Sequence, residues 1–175
     1  DLYYYRTIRD SLKIREQMRS KNKITIIGAG YIGLEIASIA AKKNLEVCVL
    51  ELENRVMGRV VSSEVSDFFQ KKHQSEGVEF KFNTSVTDIE DRGKQKRIIC
   101  SDGSFLDTDV VVIGVGIKPN VELAKSSGLK CDNGIIVDEN GKTSDDHIFT
   151  VGDCRNHPNN ILTQSPRLET VPKAV

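Results

Sequence analysis

Between Ile24 and Glu51 the chain has little freedom in what it can become. A β-branched run, Ile24-Thr25-Ile26-Ile27, enters the turn Gly28-Ala29-Gly30-Tyr31-Ile32-Gly33. From Tyr31 to Lys43 the apolar positions Ile32, Ile36, Ile39 and Ala40 recur at helical spacing, and residues 45 to 50 read as another strand that closes on Glu51. Strand, glycine turn, helix and strand within about 30 residues is one βαβ unit. A GxGxxG hexapeptide alone is weak evidence, because short patterns recur by chance. Here a strand precedes it, a helix opens at its end, and an acidic residue closes the next strand 23 positions after Gly28.

Each glycine has its own physical reason. Gly28 permits the tight turn, Gly30 lets a pyrophosphate approach the backbone, and Gly33 lets the helix pack closely on the strand. Free amides and the positive end of the helix dipole then favour a diphosphate. Glu51 has two readings. It is either a surface glutamate at a strand end or the carboxylate that takes both hydroxyls of an adenine ribose. On the second reading its charge opposes a 2′-phosphate and the ligand is NADH rather than NADPH, with Arg55, four residues on, placed to soften that preference.

The rest of the chain extends an α/β architecture. Thr7-Ile8-Arg9-Asp10 has the form of a helix start. Residues 7 to 19 then read as an amphipathic helix with Ile8, Leu12 and Met18 inward and Arg9, Lys13, Arg15 and Arg19 outward. That basic face is either simply solvated or a docking surface for an acidic partner. Residues 63 to 75 read as a helix with Val65, Phe68, Phe69 and Lys72 along one side. Residues 78 to 82 and 85 to 89 read as short strands, with turns at 91 to 94 and at 97 to 103. Residues 109 to 113 form a continuous apolar strand, as a parallel sheet buried on both faces requires. It ends in Gly114-Val115-Gly116, which is either a plain tight turn or a close approach of backbone to ligand at the sheet edge. A short helix around 121 to 126 and strands at 135 to 137 and 148 to 151 follow, the last stopping on Gly152-Asp153. The expected fold is thus a Rossmann-like dinucleotide-binding domain, a central parallel sheet with an added antiparallel β-meander.

Composition narrows the function. The net charge is zero, without the basic footprint of a nucleic-acid-binding domain. No apolar run approaches the roughly 18 residues of a membrane span. Cys48, Cys100, Cys131 and Cys154 form no CxxC pair and read as buried free thiols in a reducing compartment, the cytoplasm. His73, His147 and His157 lack metal-like spacing and read as surface residues, so no metal site is expected. Glu35, early in the helix after Gly33, reads first as a partner of the helix dipole.

The stretch from Ile24 to Ala37 resembles the NADH-binding segment of FAD-dependent pyridine-nucleotide oxidoreductases. Arg6-Thr7, Arg59-Val60-Val61, the 114–120 segment, Thr143-Ser144, Val151-Gly152-Asp153-Cys154 and the 167–174 segment narrow the resemblance to the ferredoxin and rubredoxin reductases. The resemblance implies an FAD domain split in sequence with an NADH domain inserted into it. Hydride then passes from NADH to FAD, and single electrons pass on to a ferredoxin or rubredoxin type iron–sulfur protein. The protein's part is binding, orientation and electrostatics. It also implies residue roles: Gly28, Gly30, Tyr31, Ile32, Gly33 and Glu51 hold NADH, Glu35 sits near the nicotinamide, and Gly114, Val115 and Gly116 line that side. Arg6, Asp153 and Val171 are implied to touch FAD. No acid–base residue is demanded, because hydride transfer between aligned rings depends on geometry.

On this pattern residues 1–22 end a first FAD segment with a linker helix, 23–142 form the NADH domain, and 143–175 begin a second FAD segment. The first flavin-binding glycine motif has no counterpart in the 175 residues, so the expectation is a piece that binds NADH, holds FAD poorly or not at all, and does not itself transfer electrons. Two other readings stay open: a disulfide or peroxide reductase of the wider superfamily, and a non-catalytic NADH sensor.

Overall fold

The computed structural model describes residues 2–158, which divide into a unit ending at Gly116 and another starting at Ile117. In the first unit β1 (Leu2–Tyr4) leads into α1 (Ile8–Ser20), β2 (Lys23–Ile27), α2 (Tyr31–Lys42) and β3 (Glu46–Leu50). Then come α3 (Ser63–Ser75), β4 (Val78–Lys81), β5 (Val86–Asp91), β6 (Lys96–Cys100), β7 (Phe105–Thr108) and β8 (Val110–Ile113). Five strands make one sheet in the order β1-β8-β2-β3-β4, every pair parallel. β5, β6 and β7 form a separate antiparallel sheet. The expected combination of parallel sheet and meander is what forms.

The alternation of side chains along the strands gives the sheet two buried faces. Ile24, Ile26, Val47, Val49, Val110 and Val112 pack with Ile14 and Met18 of α1 and with Leu34, Ile36, Ala37 and Ala40 of α2. On the opposite face Ile27, Cys48, Leu50, Val111 and Ile113 meet Val86, Ile89, Ile98, Cys100 and Leu106 of the meander. In the central strands β3 and β8, and in β2 apart from the buried Thr25, residues of both parities are therefore apolar, as strands covered on both faces require. The Asp109 carboxylate ties the layers at the sheet's amino end. It accepts from the amides of Asn22 and Lys23, both at 3.0 Å, and from the Gln95 side chain at 3.1 Å.

The α1 start is as the sequence indicates. Thr7 accepts from the Asp10 amide and Asp10 answers at the Thr7 amide, a closed capping box. The helix faces need correction. α1 buries Ile14 and Met18, whereas Ile8 and Leu12 lie exposed. α2 buries Gly33, Leu34, Ile36, Ala37 and Ala40 and leaves Ile32 and Ile39 toward solvent. Small side chains bring a helix close to a sheet, so Gly33, Ala37 and Ala40 share the packed stripe with Leu34 and Ile36. On α3 Val65, Phe68 and Phe69 are exposed, and the buried residue is Ser66, whose hydroxyl donates to the Val56 carbonyl at 2.7 Å.

Residues 97 to 100 belong to β6, so the turn expected at 97 to 103 is confined to Ser101–Gly103. His73 is half-buried rather than a surface residue. Its ring lies near those of Phe69 and Phe80, with Nδ1 2.8 Å from the Phe69 carbonyl and Nε2 3.1 Å from that of Leu34.

The second unit contains α4 (Glu122–Ser126) and two parallel two-residue strands, β9 (Ile135–Ile136) and β10 (Arg155–Asn156). The strand expected at 148 to 151 is absent. Phe149 makes only an isolated bridge to Lys142, and the 138–142 turn folds on the Asp138 carboxylate instead. Val171 lies outside the described residues.

Candidate dinucleotide site

β2 and β8 are neighbours in the parallel sheet, so their carboxyl ends deliver two glycine turns to one place. The Gly114 amide donates to the Ile27 carbonyl and the Gly28 amide to that of Leu50, both at 2.8 Å. Gly28 takes φ +104°, a backbone region that favours glycine, and a Cβ on it would lie 2.5 Å from the Gly114 oxygen. A Cβ on Gly33 would lie 2.0 Å from the Gly28 oxygen. Gly28, Gly33 and Gly114 are thus packed backbone to backbone. The close contact Gly33 allows is chiefly with the turn itself, with Ile26 of β2 behind it.

Gly30 differs. A Cβ there would meet nothing within 4 Å, and no side chain caps the α2 start it provides. Open space beside uncapped first-turn amides is where an anionic group gains both hydrogen bonds and the helix dipole. The residues present fit a diphosphate.

Glu51 is no bystander at a strand end. One carboxylate oxygen accepts from the Ala29 amide at 2.6 Å and the other from the Glu53 amide at 2.9 Å, so the half-buried carboxylate is fixed against the glycine turn. Tyr31, Ile32 and Glu35 are exposed on the first turns of α2, and Val115 and Gly116 are exposed beyond β8, Gly116 with φ +113°. Arg6 lies exposed between β1 and α1. Asp153 belongs to the second unit, in the turn before β10.

The sequence reading missed the loop between β3 and α3. Met57, buried and left-handed at φ +49°, donates its amide to the Ala29 carbonyl at 2.9 Å. No sequence signal marks a methionine for that conformation. Cys48, Cys100, Cys131 and Cys154 are all free, and burial pushes the Cys48 thiol up to about 11. Among the described residues no cluster suited to a metal ion occurs, and no helix is long and apolar enough to cross a membrane.

A family model described as pyridine nucleotide-disulphide oxidoreductase matches residues 1–175. Putidaredoxin reductase of Pseudomonas putida is 40% identical over 98% of this chain, and rhodocoxin reductase of Rhodococcus erythropolis 39% identical over 99%. The chain spans 42% and 41% of those relatives' lengths. Among solved structures, a ferredoxin reductase from Rhodopseudomonas palustris superposes with a TM-score of 0.93 at 42% identity, covering 98% of this chain and 43% of that one. The covalent putidaredoxin reductase–putidaredoxin complex gives 0.91 at 39% identity, covering 99% and 42%.

Proposed function

The chain belongs to the pyridine nucleotide-disulphide oxidoreductase family, and on that premise we propose that it is the NADH-binding portion of a flavoprotein reductase that serves a ferredoxin or rubredoxin. The observation that carries the proposal is the Glu51 carboxylate held at the Ala29 amide, which sets a negative charge beside the uncapped start of α2.

The first-turn amides of α2 hold the diphosphate in the space beside Gly30, and Gly28 and Gly33 fix the turn that presents them. Glu51 accepts from the ribose hydroxyls and repels a 2′-phosphate, so NADH is preferred. Tyr31 and Ile32 contribute to the NADH site at the helix start, Glu35 and the Gly114–Gly116 segment flank the nicotinamide end, and Arg6, Asp153 and Val171 serve FAD in the whole protein. Bound nicotinamide supplies a hydride. The chain's own task is to aim it, since no proton need be moved by a side chain.

Residues 23–142 act as the NADH domain, with 1–22 and 143–175 as flanking FAD-domain segments. These functional segments divide the chain at different places from its compact units. The four free thiols support the reducing environment of the cytoplasm. A persulfide reductase superposes nearly as well, at a TM-score of 0.90, but at 31% identity rather than the 39–42% of the ferredoxin reductases, which favours the electron-transfer reading.

Calorimetric titration of the chain and of Glu51→Ala with NADH and NADPH tests the proposal. NADH should bind more tightly than NADPH, with the preference lost in the variant. No binding of either nucleotide by the unaltered chain would overturn it.

A further inference from the structure

Arg55 is the cation closest in sequence to Glu51 on its carboxyl-terminal side, and its guanidinium is engaged by two backbone carbonyls. Its guanidinium folds back onto its own loop. Nη2 donates to the Gly58 carbonyl at 2.6 Å and Nη1 to the Val61 carbonyl at 3.0 Å. Gly58 lies against the arginine stem, where a Cβ would sit 3.4 Å from Arg55 Cγ. A planar fork suits two carbonyls at once, which an ammonium on a flexible stem does not.

Met57 sits between Arg55 and the nearer of those carbonyls. A left-handed methionine is costly and persists where its surroundings hold it. Its carbonyl accepts from the amides of Val60 and Val61, closing the loop that the guanidinium spans. Its amide reaches the Ala29 carbonyl, while Glu51 holds the Ala29 amide from the other side. Ala29 is fully buried, so both polar ends of this residue depend on those partners.

We infer that Arg55 is a positioning residue for the dinucleotide. It braces the 56–61 loop so that Met57 holds the Ala29 carbonyl, and it is thereby withheld from the ribose 2′ position. Arg55 does not soften the preference for NADH. It supports the turn that binds either nucleotide. The inference rests on the reading of that turn as the NADH site.

The test is calorimetric titration of the unaltered chain, Arg55→Ala and Arg55→Lys with NADH and NADPH, alongside amide hydrogen exchange by NMR. Arg55→Ala should weaken both nucleotides by about tenfold, leaving their ratio unchanged, in contrast to Glu51→Ala, which changes the ratio. Arg55→Lys, which keeps the charge without the fork, should fall between. The Met57 amide should exchange faster in Arg55→Ala while the amides of β2 and β3 stay protected, which separates a loosened loop from a lost fold. Unchanged NADH affinity in Arg55→Ala, or a loss confined to NADPH, would overturn the inference. An unaltered chain that binds neither nucleotide overturns the site reading beneath it, a result distinct from binding that survives Arg55→Ala.

Discussion

Two glycines of one motif illustrate how differently single residues bear on this protein. A methyl at Gly33 has nowhere to go, because it would press on the backbone oxygen of Gly28. Gly33→Ala should therefore destabilise the chain by about 3 kcal/mol, measured by denaturant unfolding. A methyl at Gly30 meets no atom, and its backbone, at φ −78°, accepts any residue. Gly30→Ala should leave stability within about 0.5 kcal/mol yet abolish NADH binding, because the methyl occupies the space proposed for the diphosphate. Cys48 offers a further check. With its thiol pushed up to about 11 by burial, it should react slowly with a thiol reagent at pH 8, where an ordinary cysteine is partly thiolate. The GxGxxG pattern already gives the two glycines different tasks, and the structure adds what a methyl would meet at each: the Gly28 oxygen at Gly33, open space at Gly30.

Elements were legible in the sequence to the degree that their signal is local. The α1 start is a contiguous Thr-x-x-Asp pattern, and the capping box forms as written. The strands β2, β3 and β8 announce themselves because both of their faces are buried. The inward face of α2 was legible only in part, and that of α3 was not. Periodicity found Ile36 and Ala40, but it does not weigh how closely a helix must approach its neighbour, and it passed over Ala37 on α2 and Ser66 on α3. The polar tie between the start of β2 and the meander was hidden too, since it runs through one carboxylate 86 residues from Lys23. Burial works to raise the Asp109 pKa, but the amides of Lys23 and Asn22 and the Gln95 side chain outweigh it and hold it below the ordinary carboxylate value. A depressed folded pKa contributes stability that is present above the unfolded carboxylate value and lost as pH falls through the folded one. Asp109→Ala should cost about 1–2 kcal/mol at neutral pH, and the difference from the unaltered chain should shrink on acidification below about pH 4, followed by unfolding at stepped pH.

For the molecule as a whole, the reading as an NADH-binding portion predicts linkage between ligand and fold. NADH at about a hundred times its dissociation constant should stabilise the chain by about 2.7 kcal/mol, and NADPH at the same concentration by less, read as the shift in thermal midpoint. Arg9, Lys13, Arg15 and Arg19 stand exposed on α1, and on the proposed function this basic face is a candidate for steering an acidic acceptor. Charge reversal at Arg9 and Lys13 in the full-length reductase should flatten the salt dependence of acceptor reduction. Unchanged salt dependence removes that face from the proposal. The amino-acid sequence by itself determined the βαβ unit, its glycine turn, the acidic residue that closes the next strand and the α/β class, because each is written in neighbouring residues whose backbone and burial preferences act locally. Only the tertiary structure decided that Glu51 and Met57 hold Ala29 from opposite ends, that Gly114 packs on Gly28, and that Arg55 serves its own loop. The first two join residues that the sheet's parallel crossings bring together, and no local preference encodes where a distant backbone group will lie; the third is local in sequence but turns on the fold of a loop that carries no regular pattern.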